Sequence, residues 1–161
     1  KEVTMTLIGE KEWNQIHLFL DIMNLPHKEI GERTEKHIVL LYRSTQIHIV
    51  PGDDNILFVA DVIEGVQETP ELYRYLLTDA AKPFGNVSVN SGRIFISYSL
   101  PIGTLDFNIF ATILFQFSMY ADWLDDKVKK RFGGKRIADL LEEIRKEDNS
   151  RRRTIGFHPT E

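Results

Sequence analysis

Three aspartates close the most apolar stretch of the chain: TILFQFSMYADWLDD, residues 112–126, ends in Asp122, Asp125 and Asp126. Carboxylates one turn apart on a helix can share a divalent cation or divide general acid and base work, provided that a second element supplies the remaining ligands. No second acidic cluster on a helix offers that other half. At 100° per residue, Asn108, Thr112, Gln116, Asp122 and Asp126 fall on a polar face, with Asp125 beside its rim near Ser118. Asp126 also has Lys129 and Lys130 at i+3 and i+4, the spacing of helical ion pairs. The pattern favours a solvated helix end over a metal-dependent enzyme built on Asp122 and Asp126. No catalytic residue, metal ligand or cofactor is assigned.

Other chemistry-bearing residues are dispersed. The five histidines, His17, His27, His37, His48 and His158, form no HExxH pattern and pair with no nucleophile. His37 and His48 fall on neighbouring expected strands without a third ligand. FGGKR, residues 132–136, lacks the first glycine, the Ser/Thr and the preceding strand of a phosphate loop. Asp53-Asp54-Asn55 reads as a turn rather than a calcium loop. Two basic runs remain: Lys127, Lys129, Lys130 and Arg131, then Arg151, Arg152 and Arg153. Clustered cations bind phosphate backbones without regard to sequence, so a nucleic acid or an anionic surface is the alternative partner. Against it, the first run occupies the last turn of a helix, where cations complement the dipole. The charge is also split: residues 1–126 carry −9 and residues 127–161 carry +5, so the acidic body repels a duplex.

Phe115, Met119 and Trp123 recur at i, i+4 and i+8 among the polar residues of the long helix. They make a narrow apolar ridge opposite the broad arc of Phe110, Leu114, Phe117, Ala121 and Leu124. Either a C-terminal helix with the stripe Ile137, Leu140, Leu141 and Ile144 folds back over this ridge, or another chain covers it, since aromatic and methionine side chains favour interface cores. These three residues are the candidate partner-binding site.

The elements that hold them follow from period and punctuation. Trp13, Ile16, Phe19, Leu20 and Met23 mark a helix over Glu10–Asn24, ended before Pro26. Residues 27–36 are polar and read as a loop. Strands follow over His37–Arg43, Gln46–Val50 and Ile56–Ile63, the first two turned at Ser44-Thr45. Thr69 caps a helix over Pro70–Lys82, with Leu72, Tyr75, Leu76 and Ala80 on its buried side. A hairpin of Asn86–Asn90 and Arg93–Leu100 turns at Ser91-Gly92. Asp106 opens the long helix and Gly133-Gly134 breaks it. A last helix spans about Arg136–Glu147. The order α-βββ-α-ββ-α-α gives an α+β fold with an antiparallel sheet of about five strands, preceded by an extended lead-in over Val3, Met5 and Leu7. One domain over 1–147 with a flexible basic tail over 148–161 is expected. The 161 residues suffice for a real core. No cysteine is present, which excludes disulfides and thiol chemistry. No apolar run is long enough to span a bilayer, and KEVTMTLIGEKEW lacks the pattern of a signal peptide, so a cytoplasmic protein without membrane contact is expected.

Leu76-Leu77, the Gly92 hairpin, SLPI (residues 99–102) and LDFNIFATIL (residues 105–114) occur in an order that resembles the type III secretion chaperone-like fold, including YbjN-like regulators and uncharacterised cyanobacterial relatives. The likeness covers most of residues 10–126 and rests on apolar pattern. The resemblance implies a non-catalytic, chaperone-like or regulatory homodimer that binds a protein partner, often as an extended segment. The basic C-terminal helix departs from the secretion chaperones.

Overall fold

A computed structural model describes residues 9–31, 36–79 and 84–155, the last nine of these by their backbone alone. The lead-in at Val3–Leu7, Ala80 with the end of the second expected helix, and residues 156–161 lie outside them.

The leader helix α1 (Glu10–Ile22) buries Trp13, Ile16, Phe19 and Leu20, the stripe that its 3.6-residue period dictates. Four antiparallel strands follow: β1 (His27–Ile30), β2 (His37–Tyr42), β3 (Thr45–Pro51) and β4 (Asn55–Glu64). Helix α2 (Pro70–Thr78) starts where Thr69 Oγ1 accepts from the Leu72 N–H at 3.2 Å, with Pro70 at the first helical position. The hairpin β5 (Asn86–Asn90) and β6 (Arg93–Pro101) turns at Ser91 and Gly92, both with positive φ, as a type I′ turn requires. A 3-10 turn (Ile102–Thr104) leads to α3 (Phe107–Phe132), capped by Asp106 Oδ1 accepting from the Ile109 N–H at 2.9 Å. A two-residue strand β7 (Lys135–Arg136) then passes the chain to α4 (Ile137–Ile155).

The sheet runs β1-β2-β3-β4-β6-β5, with β7 beside the end of β4. Its inner face supplies Ile38, Ile47, Ile49, Phe58, Ala60 and Ile96, all fully buried. Alpha-helix α3 lies on that face: Phe58 sits between Phe110 and Phe117, with ring centres 5.7 and 6.0 Å away. Phe19 of α1 closes on Phe110 at 5.5 Å, so one aromatic cluster joins both helices to the sheet. A bulge in β4 between Asp61 and Ile63 lets Val62 and Ile63 both turn inward.

The α+β architecture is the expected one, with seven strands where about five were expected. Residues 27–30 are the strand β1 rather than loop. HKEI shows no apolar alternation; among the described residues it is an edge strand, hydrogen-bonded to β2 on one side. The first tight turn falls one residue earlier, at Arg43-Ser44, with Arg43 taking the positive φ of 58°. The last helix continues past Glu147 to Ile155. It lies against β3 and β4, and Leu141 lines a groove of about 270 Å³ with Val39, Leu41 and Gln46, side chains that alternate away from the core. That helix therefore does not fold back along α3.

Candidate partner-binding site

The long helix is apolar on two flanks. Its broad arc is buried through Phe110, Leu114, Phe117, Tyr120, Ala121 and Leu124. On the other flank Phe115 is 41 % and Met119 46 % exposed, large apolar side chains left in water with α4 elsewhere. Trp123 is half-buried and stacks on Tyr120 with ring centres 5.8 Å apart. The turn between β2 and β3 reaches this flank from far away in sequence. The Arg43 guanidinium stands 5.5 Å from the centre of the Phe115 ring, a cation–π contact, and Ser44 Oγ donates to Asp122. The ridge thus has one end fixed by a half-buried tryptophan and one side framed by a cation.

The three aspartates meet three different surroundings. Asp122 takes the Ser44 hydroxyl, and Asp126, on the surface, accepts from Arg136 Nη1 at 2.9 Å. Asp125 departs from the solvated face on which the wheel placed this cluster: it is only 4 % exposed, and its Oδ1 has no hydrogen-bond partner. Burial, then the charge of Asp126, push its carboxyl up to about 7, against the pull of Arg136. The reason is azimuth. Asp125 stands seven residues from Ser118, itself buried, and seven residues bring a helix back to nearly the same side. Among the described residues no three His, Asp or Glu are grouped to hold a metal ion.

The first basic run is partly engaged at home. Lys129 Nζ lies 2.6 Å from Asp139. Arg131 covers the Tyr75 and Phe132 rings and faces Asp79 at 3.7 Å. Arg136 binds Asp139 as well as Asp126, which holds the Asp139 carboxyl far below the ordinary range. Lys127 and Lys130 remain exposed; the backbone of Arg151–Arg153 lies in α4. His37 and His48 do approach, with ring centres 5.4 Å apart, and burial with the neighbouring His37 lowers the pKa of His48.

Two features escaped the sequence reading. His17 and His27 are not scattered: they hydrogen-bond at 2.9 Å between α1 and β1. Glu29 beside them accepts from Trp13 Nε1 at 2.7 Å and pairs with Lys36 at 2.7 Å, which lowers its carboxyl to about 2, Lys36 contributing most. The available signal was only Trp13 and His17 at i and i+4 on α1. The second feature is α2, which exposes Tyr73 at 40 % and Leu77 at 76 %. It precedes β5, an edge strand of sequence NVSVN without a charge.

With this arrangement in view, likeness to known proteins can be placed. No curated protein matches the chain in sequence. Solved structures share its fold, among them the following two. An uncharacterized protein from Methanothermobacter thermautotrophicus superposes with a TM-score of 0.54 at 16 % identity, over 76 % of this chain and 99 % of that one. The Yersinia pestis type III secretion chaperone SycH, in complex with a stable fragment of YscM2, gives 0.52 at 14 % identity, over 70 % and 98 %. Residues 25–140 match the family described as T3SS (YopN, CesT) and YbjN peptide-binding chaperone 1. From within β1's approach to the first turn of α4, the chain belongs to this TY-Chap1 family of peptide-binding chaperones.

Proposed function

We propose that the protein is a non-catalytic, chaperone-like or regulatory module of the cytoplasm, a homodimer that holds an apolar segment of a protein partner against α3. The observation that carries this reading is the ridge: Phe115 and Met119 lie open on a helix whose other flank is already spent on the core. Exposed apolar side chains grouped with an arginine are what an interface core uses. Membership of a peptide-binding family supports the same reading, and SycH is a relative by fold that holds a protein fragment. The absence of cysteine fits a reducing compartment.

The dimer contact has a separate surface. Leu77 and Tyr73 are exposed on α2, and β5 is an edge strand without a charge; an unguarded edge strand is a template for pairing. A nucleic-acid reading has less support, because Lys129 and Arg131 already face Asp139 and Asp79.

Two variants test the reading independently. Light scattering of the wild type gives twice the chain mass, and Leu77→Glu returns it to one. Phe115→Ser with Met119→Ser keeps the mass but lowers binding to a peptide array by about tenfold or more, the loss of one to two kcal/mol per truncated anchor. An array whose captured peptides are indifferent to the ridge variant removes the proposed site. A wild type of single-chain mass removes the dimer.

A further inference from the structure

The cations around the end of α3 fall into two groups. Lys129 and Arg131 lie off the ridge, and each faces an aspartate, Asp139 and Asp79. Arg136 likewise holds Asp126 and Asp139. Lys127 and Lys130 continue the ridge instead. Lys127 is the next i+4 step after Phe115, Met119 and Trp123, and Lys130 falls at an azimuth between those of Met119 and Trp123. Both are exposed, and among the described residues neither forms an ion pair. Arg43 repeats the pattern at the other end. Its guanidinium stands 5.5 Å from the centre of the Phe115 ring and, among the described residues, meets no carboxylate in an ion pair. Two acids share the strip. Asp126 is matched by Arg136 Nη1 at 2.9 Å, and half-buried Asp122 takes the Ser44 hydroxyl. Arg43, Lys127 and Lys130 therefore outweigh Asp122, on a body whose residues 1–126 carry −9.

The ridge also restricts the conformation of what lies on it. It runs along the interior of a helix, where the backbone N–H and C=O groups are already paired with each other. An extended segment finds no main-chain partner there, whereas a helix brings its own backbone bonds. At 1.5 Å per residue the apolar part from Phe115 to Trp123 is about 12 Å long, and the cations at its two ends stand about 18–22 Å apart along the axis.

We propose that the partner segment is an acidic amphipathic helix. Its apolar side chains, one turn apart, rest on Phe115, Met119 and Trp123. Its carboxylates, about three to four turns apart, close on Arg43 at one end and on Lys127 and Lys130 at the other. A basic segment meets the same cations and is repelled, so the frame selects by sign of charge. This inference rests on the ridge being the partner site and adds the chemistry of what binds there.

The probes are capped synthetic helices with Leu at i, i+4 and i+8 and with Glu, Gln or Lys at both ends. Fluorescence anisotropy reads their binding to the full chain at low and at physiological salt. At low salt the Glu-ended peptide binds about tenfold more tightly than the Gln-ended one, the combined scale of a few exposed ion pairs, and the Lys-ended one binds most weakly. The advantage shrinks at physiological salt. It vanishes when Arg43→Gln, Lys127→Gln and Lys130→Gln are combined. A proline at the centre of the Glu-ended peptide, which breaks its helix, abolishes binding. Equal affinity for the Glu-ended and Gln-ended peptides, both lost in Phe115→Ser with Met119→Ser, overturns the acidic partner and leaves the ridge as the site. Binding that this ridge variant does not change overturns the ridge reading itself. The proposal also falls if the Glu-ended peptide does not bind, if the proline peptide binds as well as its parent, or if oligothymidine binds the strip more tightly. A ridge variant of half the wild-type mass overturns it too, a second copy then being the occupant.

Discussion

Asp125 is the residue whose replacement has the most to say about the energetics of α3. Its carboxyl lies at about 7 in the folded chain, against an ordinary 3.8. Between those values the folded protein holds a proton that the unfolded chain has released. Stability therefore falls as pH rises from about 4 to about 7, and stays reduced above. The displacement is about three pH units, and at 1.36 kcal/mol each it sets an upper limit of roughly 4 kcal/mol. Asp125→Asn removes the charge at constant size, yet it leaves an amide at a site where Oδ1 already lacks a partner, a cost of about 1–3 kcal/mol. The expected net gain is about 1–3 kcal/mol at pH 8, falling to about zero near pH 5, where the native carboxyl is protonated and only about one unit of the displacement still counts against it, and below zero at pH 4. Urea unfolding of both proteins at several pH values measures it. His48 titrates in the same window with the opposite sign: its folded pKa lies below 6.5, so the stability it contributes above that value is lost on acidification. Both proteins share that term, and the difference between them cancels it. A difference independent of pH, or a variant less stable than wild type at pH 8, would refute the burial argument.

Three further substitutions probe how the helices and sheet are held. Thr69→Ala and Asp106→Ala each remove the oxygen that caps a helix, from Leu72 N at 3.2 Å and Ile109 N at 2.9 Å; each costs about 1 kcal/mol, read as a lower urea midpoint at unchanged slope. Gly85→Ala places a Cβ 2.3 Å from the Ser97 carbonyl at a φ of +93°, where the partner is backbone and cannot step aside. It costs more than the ~1 kcal/mol of the left-handed conformation alone and weakens the Phe84–Tyr98 stack, which near-ultraviolet circular dichroism reports.

Periodicity and punctuation carried most of the fold. Helices α1 and α3 were legible because their buried stripes repeat every 3.6 residues and their ends bear Pro26, Asp106 and Gly133. Strands β2, β3 and β4 were legible from alternation, which the burial patterns reproduce. What failed were elements whose existence depends on a neighbour. Strand β1 is four mostly polar residues that become a strand by pairing with β2, and β7 is two residues laid along Ile63 and Glu64. The path of α4 was equally hidden. Its stripe says that it must cover something apolar, and only the position of β7 decides that this is the outer side of the sheet.

The ridge and the buried aspartate show where position and residue type disagree as evidence. Spacing placed Phe115, Met119 and Trp123 on one flank, and on that flank they are. The framing by Arg43 and Ser44 comes from a turn some seventy residues away in sequence and leaves no local trace. For Asp125 the wheel gave the right azimuth, beside Ser118, while its charge argued for water; the azimuth decided. Ser118 tolerates burial because its hydroxyl donates to the Phe115 carbonyl at 2.8 Å, within the helix. An acceptor-only carboxylate has a weaker internal outlet: the Asp126 N–H reaches the Asp125 carboxyl, yet that N–H belongs to the helix ladder and Oδ1 is left without a partner. A side chain that must be buried at that azimuth is therefore comfortable as a hydroxyl and costly as a carboxylate. The aspartate stays there at the expense of stability near neutral pH, and the Asn replacement measures that expense directly.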